Sequence, residues 1–397
     1  MSNRFIYIFI EVARRELDWR MALAVQLAKK GYSVVVGEKN QLLWNMFVGY
    51  YPPGVILDKC AQIATSQEFE NLICAGFVYT VLDEEGLITN AAYFNQSRFS
   101  SQAEKFVSAN FVTGKNLDSI IKSQFRKANN IITGNPRYSM LHPEWQEWFS
   151  GEYNQIKTSY KNFVLLVSSF NPYPQVYKHV MPGMKEIDDY FKSQMSFYLD
   201  NHQKDGLNFV LRPHPSDQPY HNNSVQTDER FNIIPWIRAS EYIVNAKCTT
   251  SIEAFIAGKR AYTWKLLTHE PAYKLANLFA DDLHDFGCIV LDTTQNRRKK
   301  ILSNLLAHAD SAHDSMNLIC ETIEKLSFPQ SKSKSKSKFS VHKLMHLKNQ
   351  IRFMMKGDNY TRIKQKFTEK DVAYAHKKMS LYISNYTIND KVFEINC

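Results

Sequence analysis

The feature that most constrains this chain is an alternation. Short apolar runs bounded by polar turn residues alternate with segments whose apolar residues recur at helical spacing. Ile6–Ile10 leads into a predicted helix over Arg14–Lys30, in which Leu17, Met21, Ala24, Val25 and Ala28 share a face. Gly31 ends it, and Tyr32–Val36 reads as the next strand, a βαβ beginning. A helix near Ser66–Ala75 precedes strands at Phe77–Leu82 and Phe106–Val112, and a helix near Leu117–Lys127 precedes Asn130–Thr133. His142–Lys161, with Trp145, Trp148 and Tyr153, reads as a connector. The alternation then restarts: Phe163–Val167, a helix near Met184–Asn201, Leu207–Leu211, Phe231–Ile233, the Tyr242 run, Arg260–Thr263 and Cys288–Leu291. Helices are predicted at Lys274–Phe279, Arg297–Ala307 and Ala312–Lys325. Apolar strands alternating with helices predict an α/β chain with parallel sheets covered on both faces.

Composition supports two such sheets. The chain has 397 residues, 44% apolar and 13% aromatic, which excludes a disordered chain and supplies two cores. The expected division is 1–155 and 156–330, two Rossmann-like doubly wound domains facing a cleft, followed by 331–397 as a linker and basic helical tail. Nothing approaches the ~18 apolar residues of a membrane span, and the first strand is too short for a signal peptide, so a cytoplasmic protein is expected. Six scattered cysteines without a Cys-x-x-Cys predict free thiols. His342 and His346, four apart among lysines, read as a basic face, so no metal is expected.

The net charge of +10 is concentrated. Ser331–Lys378 holds fourteen Lys and Arg against Asp358, Glu369 and Asp371, which leaves the rest of the chain near neutral. The body therefore gives no reason to expect nucleic acid. The tail opens with the low-complexity run Ser331–Lys338, expected to be a linker. His342–Lys356 reads as a candidate contact to an anionic membrane surface, and Tyr360–Tyr382 as a helix that packs back on the body.

Open α/β sheets place ligands at the carboxyl ends of their strands, so the turns there carry the chemistry. After Leu207–Leu211 comes Arg212-Pro213-His214-Pro215, where two prolines present Arg212 and His214 stiffly. After the Tyr242 run comes Thr249-Thr250-Ser251, hydroxyls at a helix start that can seat a phosphate. The plainer alternative is that Thr250 and Glu253 form a capping box. Asp83-Glu84-Glu85-Gly86 ends another strand; its carboxylates repel, so one raised pKa and a general base are expected, unless the turn is simply solvated. Glu11, Arg14 and Arg15 replace a glycine-rich phosphate loop after the first strand and can hold a polar acceptor or decorate a helical turn. Gly134-Asn135-Pro136-Arg137 closes the set.

In that order, Arg14-Arg15-Glu16-Leu17-Asp18, Leu82–Gly86, Thr133–Arg137, Arg212–Ser216, Pro235-Trp236-Ile237 and Thr249–Ala254 resemble bacterial surface-carbohydrate glycosyltransferases of the GT-B architecture. A looser likeness extends to CMP-sugar-using sialyltransferases and Kdo transferases. The resemblance implies transfer of a nonulosonic acid (Kdo, sialic or legionaminic type) from a CMP-activated sugar to a glycan or lipid-linked glycan acceptor. Ser168-Ser169-Phe170-Asn171 departs from the likeness by offering an amide where a retaining enzyme needs a carboxylate, so inversion is expected. No metal is expected if histidine and a helix start neutralise the phosphate, and no cofactor beyond the donor. Glu84 or Glu85 would be the base and His214 would meet the leaving phosphate. Arg212, Pro215, Trp236, Thr249, Thr250, Ser251 and Glu253 would bind the donor nucleotide, and Glu11, Arg14, Arg15, Asn135 and Arg137 the acceptor. The competing readings are polyol-phosphate transfer from a CDP-alcohol in teichoic-acid-like synthesis and a non-enzymatic lipid- or nucleic-acid-binding protein.

Overall fold

The computed structural model describes residues 4–61, 66–83, 85–89, 91, 94, 98–168, 189, 192, 193, 195, 196, 198, 199, 208–214, 217, 225–245, 248–263, 275–282, 292–328, 367–389 and 391–395. These fall into two compact units, the first formed by residues 1–139, 303–359 and 365–397 and the second by 140–302 and 360–364.

The first unit is built on an eight-stranded sheet. Its strands are β1 (Phe5–Ile10), β2 (Ser33–Glu38), β3 (Val55–Asp58), β4 (Val78–Leu82), β5 (Val107–Val112), β6 (Asn130–Ile132), β13 (Tyr386–Asn389) and β14 (Val392–Ile395). The order is β13-β14-β2-β1-β3-β4-β5-β6, with β1 to β6 parallel. The order reverses between β1 and β3, which makes their carboxyl ends the topological switch point where such sheets bind ligands. Helix α1 (Ala13–Lys29) and helix α2 (Lys39–Phe47) follow β1 and β2. The core beside them is aromatic, with Tyr7, Phe9, Phe47, Phe77, Tyr79 and Phe99 buried together.

The end of the chain returns to this sheet. β13 and β14 form a hairpin, and β14 pairs antiparallel with β2, Phe393 opposite Val36. Gly37 permits the approach: a Cβ there would lie 2.7 Å from the Lys391 carbonyl oxygen. Helix Glu369–Met379 carries a capping box between Thr368 and Asp371, and its Tyr374 hydroxyl donates to Asp18 of α1 at 2.8 Å. Within the stretch expected as a tail, residues 367–389 and 391–395 belong to the first unit. The candidate membrane segment His342–Lys356 and the Ser331–Lys338 run lie outside the described residues.

The second unit holds a parallel sheet of β7 (Phe163–Ser168), β8 (Asn208–Pro213), β9 (Gln226–Thr227), β10 (Tyr242–Asn245), β11 (Ala261–Thr263) and β12 (Asp281–Asp282), in the order β12-β11-β10-β7-β8-β9. Its reversal lies between β7 and β10. The predicted connector contains two 3-10 turns and the helix Ser150–Tyr160, which runs into β7. The strand expected at Phe231–Ile233 is instead the start of helix Ile233–Ala239, capped by the Asn232 side chain accepting from Ile234 N–H at 2.8 Å. Pro235 suits that first turn, where no N–H is needed. Most of Met184–Asn201 and all of Cys288–Leu291 lie outside the described residues.

Candidate functional site

The carboxyl edge of the first sheet gathers ionised side chains from four consecutive strand ends. Glu11 follows β1, Lys39 follows β2, Asp58 and Lys59 close β3, and Asp83 and Glu85 follow β4. Lys39 donates to both carboxylate oxygens of Asp58, at 3.1 and 2.8 Å, and the Tyr79 hydroxyl donates to the same carboxylate. Across the switch point, Lys59 donates to Glu11 at 2.7 Å and lies 3.7 Å from Glu85. Arg15, in the first turn of α1, donates to Glu85 at 3.3 Å. Arg98 forks between Asp83 through Nε at 2.8 Å and Glu85 through Nη1 at 3.0 Å. Below them Glu16 accepts from the Glu11 N–H at 2.8 Å and faces Arg20, which donates to the Phe9 carbonyl.

Burial makes this arrangement costly unless it is complete. Asp58, Lys59, Asp83 and Arg98 are buried, and an unpaired ion there would lose its hydration without return. The pKa shifts follow. Burial opposes the charge on Glu11, yet Lys59 and Lys39 prevail and bring it down to about 2. Burial alone would lower Lys39 and Lys59, but their acidic neighbours raise both. Asp83 is raised, first by burial, against the opposing pull of Arg98. Burial also pushes the Cys60 thiol up to about 12, against the opposing pull of Lys39.

The expectation for the acidic turn is met in direction but altered in cause. Loss of water around Asp83 comes first, with repulsion by Glu85 a smaller contribution, and Arg98 pairs with both carboxylates. Both oxygens of Glu85 already face cations, so service as a base requires release of one of them. Glu84 lies outside the described residues. Arg14 is exposed on α1. Asn135 is buried; its Oδ1 accepts from the Arg137 N–H at 2.9 Å and shapes the turn after β6. Gly134, at φ 75°, enters that turn where a Cβ would strike the Ala307 carbonyl. Arg137 stacks on Tyr138, 5.6 Å from its ring centre.

Lys39, Asp58, Lys59, Tyr79 and Arg98 were not singled out from sequence. A signal existed for Asp58-Lys59: Val55-Ile56-Leu57 is an apolar run after Pro52-Pro53-Gly54 and ends in two charges. Arg98 follows no periodic segment, and its partners are identified only by the fold.

At the carboxyl edge of the second sheet several expected ligands are occupied elsewhere. Arg212 is buried and donates to the backbone carbonyls of Arg230, at 2.6 Å, and Phe231. Phe231 sits at φ 62°, a left-handed conformation that a bulky residue adopts only when held. Trp236 is wholly buried, its indole N–H donating to the Arg230 carbonyl at 2.7 Å and its ring against Tyr160 and Phe163. Ser251 is buried and exchanges hydrogen bonds with the Asn245 side chain at 2.9 and 3.2 Å. These bonds tie Arg212, Trp236 and Ser251 into the frame of the second sheet.

Thr250 and Glu253 are buried in helix Thr250–Ile256, with the Thr250 hydroxyl 3.0 Å from the Cys248 sulfur. Thr249 is the N-cap residue and makes no side-chain capping bond, and Thr250 is already inside the helix, so it does not hold the N-cap position that the alternative capping box with Glu253 requires. His214 is exposed and Thr249 half-exposed at the ends of β8 and β10. Pro215 lies outside the described residues. Among the described residues no group of three or more His, Cys, Asp or Glu could hold a metal ion, and no helix is long and apolar enough to cross a membrane.

No family model matches the chain, and no curated protein matches it. Solved structures do resemble it. The UDP-GlcNAc 2-epimerase of Neisseria meningitidis bound to UDP-GlcNAc aligns over 82% of this chain and 100% of its own, with 12% identity and a TM-score of 0.48. The UDP-GlcNAc 2-epimerase of Methanocaldococcus jannaschii aligns over 81% and 100%, with 9% identity and a TM-score of 0.49. The wall teichoic acid polymerase TagF with CDPG aligns over 81% and 88%, with 11% identity and a TM-score of 0.45. The expected CMP-activated nonulosonic acid donor is corrected on this finding: these structures are named for UDP-GlcNAc and CDPG, and none of them is a sialyltransferase or a Kdo transferase. At such identities the chemistry of this chain has to be read from its own residues.

Proposed function

We propose that this chain is an enzyme acting on a nucleotide-linked polyol or sugar in surface-polymer assembly, and that a CDP-polyol is the donor to test first. The observation that carries the reading is the paired ion network at the switch point of the first sheet, where Glu11 and Lys59 meet across β1 and β3. Buried ions in such numbers at a ligand-binding edge are characteristic of functional sites, since a stable core needs none of them. In this reading the first unit takes the acceptor. His214, which is exposed, and Thr249, which is half-exposed, take the donor phosphates. The acceptor hydroxyl would attack the polyol-bearing phosphorus, a phosphodiester would form, the diphosphate bridge would break, and CMP would leave.

Calorimetric titration of the full chain with CDP-glycerol and with UDP-GlcNAc tests the reading, followed by phosphorus spectra with a polyol-phosphate primer. CDP-glycerol binding and CMP release coupled to a new phosphodiester are expected. Binding of UDP-GlcNAc alone, with formation of its epimer, would replace the polyol donor by a sugar nucleotide. Binding of neither would remove the enzyme reading.

A further inference from the structure

One carboxylate in the first unit's network differs from its neighbours. Arg15, Lys59 and Arg98 converge on Glu85 at 3.3, 3.7 and 3.0 Å. The Lys59 and Arg98 side chains are 6% and 3% exposed, whereas that of Glu85 is 33% exposed and that of Arg15 24%. Lys59 is also paired with Glu11, and Arg98 with Asp83. Glu16 acts on Lys59 as well but is paired with Arg20, and Asp58 is paired with Lys39, so without Glu85 the five cations of the network would face four carboxylates among the described residues, a surplus of one charge. The Nη2 of Arg98 supplies a second observation: it is buried and has no hydrogen-bond partner among the described residues. Buried guanidinium donors are ordinarily satisfied, so this one is a donor held ready for an acceptor.

We propose that Arg15, Lys59 and Arg98 form a binding site for a singly charged oxyanion of the acceptor, a phosphodiester or a carboxylate, and that Glu85 occupies this site between turnovers. The inference rests on the reading of the first unit as the acceptor side. A singly charged group matches the surplus, and the guanidinium groups of Arg15 and Arg98 offer the paired N–H donors that such oxygens accept. Glu85, the most exposed member, can move toward solvent while the three cations stay anchored.

Glu85→Gln keeps the shape and removes the resident charge. Full-length wild type and variant are titrated with dimethyl phosphate and, separately, with acetate, following the melting temperature and the arginine side-chain N–H resonances. The variant is expected to bind at least one of them about tenfold more tightly than wild type, and adding Arg15→Gln should abolish the gain. Preference for dimethyl phosphate identifies a phosphodiester, preference for acetate a carboxylate, and equal binding the shared chemistry alone. Equal affinity in wild type and variant, or a gain that survives Arg15→Gln, would overturn the proposal. Should the variant not fold in plain buffer, one of the two oxyanions must restore its melting transition; restoration by neither also overturns it. Titration with CDP-glycerol separates the two readings. Intact nucleotide binding without an oxyanion gain sinks this inference alone, whereas binding of neither CDP-glycerol nor UDP-GlcNAc by wild type sinks the proposed function.

Discussion

At the carboxyl edge of the first sheet the charged side chains are spent largely on one another. At the carboxyl edge of the second, Arg212 is spent on the backbone. Both edges lie at a reversal of strand order, and both carry the polar turns that open α/β sheets use for ligands. Yet Arg98 forks between two carboxylates, while Arg212 clasps two carbonyls and fixes a left-handed Phe231. An arginine at a sheet's carboxyl edge is thus not informative by itself; the identity of its acceptors decides whether it builds a site or a turn.

The sharpest way to break this contrast is to remove each arginine. Arg98→Met should destabilise the protein by about 3–5 kcal/mol, because it leaves Asp83 buried without its cation. Urea unfolding measures this; a change near zero would mean that the network is slack. Arg212→Met should cost less, about 2–3 kcal/mol, through two lost charge-assisted bonds and a released turn. If Arg212→Met left stability intact but abolished nucleotide binding, Arg212 would be a ligand and the contrast would fail.

Acid titration sharpens the first side. Glu11 has its folded pKa lowered from 4.5 to about 2, so its contribution is full above the unfolded value and is lost as pH falls toward the folded one. Wild-type stability should decline between those values, and Glu11→Gln should flatten part of that slope in pH-dependent melting curves. The smallest stability effect belongs to the second edge: His214→Ala should change unfolding by under about 0.5 kcal/mol, as exposed substitutions do. In the proposed function the same substitution weakens CDP-glycerol binding about tenfold. Unchanged binding would remove His214 from the donor site.

Much of the fold was legible in the residues. Ile6–Ile10 and Phe163–Val167 are continuous apolar runs and form buried parallel strands, and Phe209–Leu211 is the buried part of a third. Errors arose where local pattern and context disagree. Phe231–Ile233 looks β-rich, but Asn232 caps a helix that Pro235 can enter. β14 pairs with β2 from the far end of the chain, Ile395 against Val34, and no local pattern carries such a partner.

For the candidate sites, the sequence alone indicated polar groups at some strand ends, because strand ends are set by where apolar runs stop, and it left Lys39, Asp58 and Lys59 at the ends of β2 and β3 unmarked. Glu11, Arg15, Glu85, His214 and Thr249 were found that way. Only the tertiary structure decided which of them meet. Arg98 joins Asp83 to Glu85, Lys59 reaches Glu11 across the switch point, and Trp236 and Ser251 turn inward. The physical reason is that burial of an ion or indole depends on partners supplied by distant segments, and residue order along the chain does not specify those distances.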